Sequence, residues 1–316
     1  MTGPARPPVP AADWTQAPER GNRWALRAMC WGALTLGRRF ARTLLLPITA
    51  YFLLAMPAQR RHARAYLGRA LGRPAGWGDL FRLFHAFAAT VLDRVYFLRG
   101  ATGRLSVEVQ GAEALQAALA QGQGAFLVGG HLGSFEAIGF AGRQRGGLRT
   151  AMVMYPDNAR QLNAVLEAIA PGAERSAIIP LGRSHAMLAL RDWLDGGGLA
   201  GMLGDRTLPA AQRNEGDTVA VPFLGRAAPF GDGPFRLAAL LRRPVFFMAG
   251  VYLGGNRYQV LFEPLADFSL RAADGAERER RIRAALHDYV ARLETLCRAA
   301  PYNWFNFHDF WHEDGA

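Results

Sequence analysis

The chain has 316 residues, half of them apolar, and its formal charge of +11 is carried by arginine alone, since no lysine occurs. That is enough for a full hydrophobic core in one large domain or two small ones, and so basic a surface favours acidic partners: anionic lipid headgroups, nucleic acid or an acidic carrier protein. No zinc-finger spacing and no aromatic RNP-type stretch supports nucleic acid, and Cys30 and Cys297 are too few and too far apart for a disulfide framework or a metal site. Both cysteines read as packing residues of a protein that works in a reducing compartment.

In chain order, residues 1–20 place Pro4, Pro7, Pro8, Pro10 and Pro18 among alanines, which reads as a disordered tail and not as a signal peptide. A helical, membrane-associated region is expected over residues 21–100. Its apolar segments, Trp24 to Leu36 and Leu44 to Pro57, are flanked by Arg38, Arg39, Arg42, Arg60, Arg61 and Arg64. Neither reaches the roughly 20 apolar residues of a spanning helix. They read as helices lying in the membrane interface, with a single tilted span and plain core packing as the alternatives. Asp79 to Arg94 carries Leu80, Phe81, Leu83, Phe84, Phe87, Val91 and Leu92 at helical spacing.

From residue 101 to 316 short β-rich runs alternate with helical ones. Strands are predicted over Leu105–Val109, Ala125–Val128, Thr150–Tyr155, Ala177–Pro180, Leu199–Leu203, Thr218–Phe223, Val245–Tyr252 and Tyr258–Phe262. Helices are predicted over Ala112–Leu119, Phe135–Arg143, Asn158–Ile169, Ser184–Leu194, Pro234–Leu241 and the amphipathic Ala276–Arg298. The alternation predicts an α/β sandwich around a mostly parallel sheet.

The stretch Ala125-Phe-Leu-Val-Gly-Gly-His131-Leu-Gly-Ser-Phe-Glu136 carries the chemistry. An imidazole followed four residues later by a carboxylate, at the carboxyl end of an apolar strand, suits deprotonation of a hydroxyl or amine for attack on an acyl carbon. Here Glu136 is expected to orient His131 and to stabilise the imidazolium, as the acid of a Ser-His-Asp triad does. Ser134 lacks a Gly-x-Ser-x-Gly elbow, since Leu132 and Glu136 stand in the glycine positions, so direct transfer without an acyl-enzyme is expected. Gly129, Gly130 and Gly133 leave backbone N–H groups able to face an oxyanion, and Ser134 is a possible helix cap. A surface contact between His131 and Glu136 is the plain alternative.

Several segments in order add a resemblance. The His-x4-Glu block resembles the first motif of the lysophospholipid acyltransferase superfamily, and Gly-His-Leu-Gly-Ser-Phe-Glu is closest to its branch of bacterial lipid A biosynthesis acyltransferases, the lauroyl and myristoyl transferases. Leu181-Gly-Arg183, Leu199-Ala-Gly-Met-Leu-Gly-Asp205-Arg206, Val219-Ala-Val-Pro222-Phe223-Leu-Gly225 and Pro301-Tyr-Asn-Trp304 resemble later segments of that family. The resemblance spans roughly residues 24–311. It departs at His308-Asp-Phe-Trp311, where lipid A enzymes carry a His-Arg-Arg run, and there it looks more like acyltransferases of aryl-polyene and other specialised lipid pathways.

The resemblance implies transfer of a fatty acyl chain from an acyl carrier protein or CoA thioester to a hydroxyl of a lipid or glycolipid acceptor, at the cytoplasmic face of the bacterial inner membrane, with no metal or redox cofactor. Glycerophospholipid, ornithine-lipid and aryl-polyene-type acceptors are the alternatives within enzymes. A catalytically silent membrane scaffold is the alternative from another class. Besides Gly133 and Ser134, the candidates for substrate binding are Arg183 and Arg206, whose guanidinium groups suit phosphate or a pantetheine arm. Asp205 would hold substrate or brace a loop, and Pro222 and Phe223 would shape the pocket wall. Gly231-Asp-Gly233 reads first as a turn. His308 and His312 have the i, i+4 spacing of a metal pair but no identifiable third ligand. The aromatic cluster Trp304, Phe305, Phe307, Phe310 and Trp311 reads as a core plug or the lining of an acyl channel.

Overall fold

The computed structural model of the protein describes residues 35, 37–100, 103, 105–144, 148–154, 177–182, 186–206 and 218–311. The expected tail, most of the first apolar segment, Cys30, the helix expected over Asn158–Ile169 and the candidate Arg183 lie outside them.

Three helices come first: α1 (Gly37–Ala55), α2 (Pro57–Leu71) and α3 (Trp77–Leu98). Only a stripe of α1 faces inward, formed by Ala41, Leu45, Thr49 and Leu53 at four-residue spacing. Pro57 opens α2, where its missing N–H costs nothing, and the two axes meet at 98°. No single helix among the described residues is long and apolar enough to cross a membrane, although α1 and α2 would pass together as a bent pair.

The anchor of α1 is polar. Arg38 donates Nε and Nη2 to the two oxygens of the buried Asp93 on α3, each at 2.7 Å, and Tyr258 Oη donates to the same carboxylate at 2.8 Å. A buried charge so fully paired fixes the docking of α1 more than it adds net stability.

After α3 come β1 (Ser106–Gln110), α4 (Ala112–Leu119), β2 (Ala125–Gly129), α5 (Phe135–Gln144), β3 (Thr150–Met154), β4 (Ala177–Pro180), α6 (Ala186–Asp195) and β5 (Leu199–Leu203). Then follow β6 (Thr218–Phe223), β7 (Arg226–Gly231), α7 (Gly233–Leu241), β8 (Pro244–Tyr252), β9 (Arg257–Asp267) and α8 (Gly275–Ala299). Among the described residues the main sheet has seven strands in the order β1-β9-β8-β2-β5-β3-β4. Every neighbouring pair is parallel except β8 with β9. The mixed α/β architecture around a mostly parallel sheet is therefore as expected.

The central strands explain their own sequences. Ala-Phe-Leu-Val-Gly of β2 is buried throughout, and β8 is buried from Val245 on, because strands covered on both faces carry continuous apolar runs. Helix α8 starts at Asp274, whose side chain accepts from the Glu277 N–H at 2.7 Å. It buries Ile282, Leu286, Tyr289, Val290, Leu293 and the core residue Cys297 along one stripe.

Strand β7 departs from the turn expected at Gly231, which instead ends the strand. Leu224 and Gly225, both at positive φ, close a two-residue hairpin between β6 and β7. Pro229 is tolerated because the pair forms a separate two-stranded sheet instead of an interior ladder.

Candidate active site

Two parallel neighbours, β2 and β5, deliver the central pair. Gly129 is in register with Leu203, so the residues that follow each strand, Gly130-His131 and Gly204-Asp205, emerge side by side at the carboxyl edge. Ligands of open α/β sheets bind at this edge. The Gly204 N–H donates to Gly129 O at 2.8 Å and closes the gap between the strand ends.

Asp205 is buried and fully used. Its Oδ1 lies 2.9 Å from His131 Nδ1, and its Oδ2 accepts from the His131 backbone N–H at 2.7 Å and from Trp304 Nε1 at 2.8 Å. Burial by itself would raise the carboxyl pKa, but the His131 charge and the hydrogen bonds from His131 and Trp304 outweigh it and bring the value down to about 2. An ionised, acceptor-only Asp205 keeps the ring proton on Nδ1 and leaves a lone pair on Nε2. The His131 side chain is 22 % exposed against 1 % for Asp205, so the base is open to a substrate while its partner is not.

Glu136 has different partners. It sits in the first turn of α5, a favourable place for a carboxylate, with Arg94 Nε 2.6 Å from its Oε1 and Ser134 Oγ donating to its Oε2 at 3.3 Å. The ring-orienting role expected of Glu136 is thus corrected: the carboxylate on the imidazole is Asp205, supplied by the adjacent strand.

The oxyanion expectation for the same loop also changes, whereas the cap expected of Ser134 is present. The N–H groups of His131, Leu132, Gly133 and Ser134 donate to Asp205 Oδ2, Gly130 O, Asn303 O and Gly250 O, so none of these four is free for an oxyanion. Gly133 instead permits close approach: its φ is +72°, and a Cβ there would stand 1.9 Å from Gly250 O. Ser134 is buried, and its hydroxyl accepts from the Ala137 N–H at 3.3 Å, the cap of α5.

The C-terminal segment locks this loop from the other side. Phe305 N–H donates to His131 O at 2.8 Å, and Asn303 brackets the Tyr252 backbone with both ends of its amide. Phe223 is fully buried against Trp304, Phe230, Phe310 and Trp311, whereas Pro222 is exposed. Phe223 therefore backs the indole that holds Asp205 and does not line an open pocket, and the aromatic cluster is a plug. Arg206 is half-buried beside Asp205, and burial, opposed by that carboxylate, lowers its pKa. Sequence reasoning missed Arg94 and the indole N–H of Trp304, and for Arg94 only its place within an otherwise apolar helix gave any signal.

A family model described as bacterial lipid A biosynthesis acyltransferase matches residues 12–313. The chain belongs to that family. A search of curated proteins found no match. Membership makes the chain an acyltransferase with an acyl donor and a lipid acceptor, and it puts the His131 loop, Asp205 and Trp304 inside the matched span.

Proposed function

We propose that this acyltransferase moves a fatty acyl chain from an acyl carrier protein or CoA thioester to a hydroxyl of a lipid or glycolipid acceptor, with His131 as general base. The single observation that carries the reading is the His131–Asp205 pair at the carboxyl edge of β2 and β5. Nε2 takes the acceptor's hydroxyl proton, and Asp205 stabilises the imidazolium that forms. The new alkoxide oxygen bonds to the thioester carbon, the C–S bond breaks, and the departing thiolate recovers the proton from His131. No acyl-enzyme intervenes. Glu136, tied to Arg94 and Ser134, sets the start of α5.

The outer face of α1 supports a seat in the membrane interface, at the cytoplasmic face of the bacterial inner membrane. Phe40, Leu44, Leu46, Ile48, Tyr51, Phe52 and Leu54 are all exposed there, with Trp77 close to Arg60 and Arg64 at the next bend. The charge of +11 favours an acidic carrier protein as donor over CoA, through faster encounter that salt screens.

Lipid mass spectrometry of cells with and without the protein tests the reading. Loss of one acylated lipid together with gain of its des-acyl form is the expected result, and an unchanged lipid profile would overturn it. Paired kinetics with one acyl chain on both carriers should give higher kcat/KM for the carrier protein, with the advantage shrinking as salt rises.

A further inference from the structure

Two arginines of α2, Arg60 and Arg64, have no carboxylate to pair with among the described residues. From Pro57 to Asp79 the one acidic residue is Asp79. It is already satisfied: Arg73 holds both of its oxygens, at 2.8 and 3.0 Å, and Tyr302 Oη and the Gly76 N–H donate to it as well. The guanidinium groups of Arg60 and Arg64 lie instead over the indole of Trp77, 5.1 and 5.6 Å from the ring centroid. Stacking of this kind orders a guanidinium and leaves its N–H edge available to an anion. Arg64 also borders an open groove of about 300 Å³, completed by Ala65, Gly68, Arg69, Pro74 and Ala75. Small residues keep it open, since a Cβ at Gly68 would meet only Arg73 O, at 3.8 Å. The end of α1 adjoins the same corner. Arg60 Nη1 donates to Leu53 O at 2.8 Å, and Tyr51, Phe52 and Leu54 beside it are exposed. Apolar side chains, an indole and cations thus follow one another, as hydrocarbon, interface and phosphate do in a bilayer.

We propose that this groove binds the phosphate headgroup of an anionic phospholipid, with Arg64 and Arg60 as donors and the end of α1 among that lipid's chains. The inference rests on the interfacial seat proposed for α1 and turns a general attraction to membrane into a choice of lipid. The groove's volume falls at the lower end of small-ligand sites, about 300–1,000 Å³, which suits a glycerophosphate group. Arg64 is exposed and Gly68 half-buried, so both can change without opening the core.

The test is co-sedimentation of the full chain with phosphatidylcholine vesicles made with and without phosphatidylglycerol. The parent chain should partition about tenfold more strongly onto the vesicles that contain phosphatidylglycerol. Arg64→Gln should reduce that preference about fivefold, the effect of one arginine at an anionic surface. Gly68→Leu should reduce it to a similar extent by filling the groove with no change of charge, and neither variant should alter binding to phosphatidylcholine alone. Arg278→Gln with Arg280→Gln is the control. Both residues are exposed at the start of α8, about 25 Å along that helix from the end where Tyr66 of α2 bonds to Pro301 O, so the preference should stay as in the parent. A preference that Gly68→Leu leaves intact, or that the α8 control weakens as much as Arg64→Gln does, makes the attraction diffuse and overturns the site. Loss of the preference to soluble glycerol 3-phosphate, beyond the effect of matched salt, would make the groove a small-anion site and overturn the lipid assignment. Binding to phosphatidylcholine without any preference sinks the site alone. A preference that needs Arg64 and Gly68, in a chain that ignores phosphatidylcholine, sinks the apolar seat alone.

Discussion

Two apolar regions of this molecule are built from the same residue types and meet opposite fates. Behind the His131 loop, Phe223, Phe230, Trp304, Phe310 and Trp311 pack ring against ring, with Trp304 and Phe310 centroids 5.0 Å apart, and all five are buried. On α1, Phe40, Leu44, Leu46, Phe52 and Leu54 stay exposed although Arg38 and Asp93 pin the helix firmly. Apolar composition alone does not decide burial; the presence of a facing surface does. The plug meets α2, α8 and the hairpin, and it exists to present one polar atom, Trp304 Nε1, to Asp205. The outer stripe of α1 stays exposed in the described chain.

Chemistry should depend on the plug's side of that contrast and not on α1. The largest effect is expected at the residues the plug supports. His131→Ala should lower acyl transfer by about 10²–10⁴-fold, and because it also removes a donor to the buried Asp205 it should cost about 1–3 kcal/mol of stability. Asp205→Asn should lose activity on a similar scale, because an amide no longer enforces the Nδ1 proton. Full activity of either purified variant would remove the pair from the mechanism.

Next in size is Trp304→Phe, which keeps the aromatic packing and deletes one donor to a buried carboxylate. It should destabilise the fold by about 1–3 kcal/mol in denaturant titration, and lower kcat more than it changes KM. A silent substitution would mean that the plug is filler.

Asp205 also makes stability pH-dependent. Its folded-state pKa of about 2 lies below the unfolded value, so its contribution is present above the ordinary carboxylate range and is lost as pH falls through about 2. The size is on the order of 2 kcal/mol. Asp205→Asn should flatten that limb of the stability curve, and an unaltered acid slope would contradict the assignment.

The smallest thermodynamic change is expected on α1. Leu44→Asp with Phe52→Asp should move stability by no more than about 0.5 kcal/mol per site. Yet the variant should sediment far less with anionic vesicles than the parent chain. A large drop in melting temperature would instead make the stripe a buried interface and erase the contrast.

Much of the fold could be read from the sequence because its signals are local. The buried runs of β2 and β8, the alternation of strands with helices, and the stripe of α8 each lie within one short window. His131 was legible for the same reason. Its partner was not, because neighbouring strands β2 and β5 are separated by two other strands in the chain, and no local pattern states that they lie side by side. Proximity in sequence favoured Glu136, while the sheet supplied Asp205. Strand β7 was missed because Pro229 and Gly231 read as loop chemistry until the hairpin's separate sheet is known.

The close approach of Gly133 and Gly250 bears on how such a site can change over generations. A side chain at position 133 runs into Gly250 O at 1.9 Å, and one at position 250 runs into Ser134 O at 2.2 Å. Neither position offers a single step that the other could tolerate, so this seam is closed to gradual drift. New acceptor preferences must then arise where the chain is free to vary, in side chains that face the cleft, while the backbone carrying the base stays as inherited.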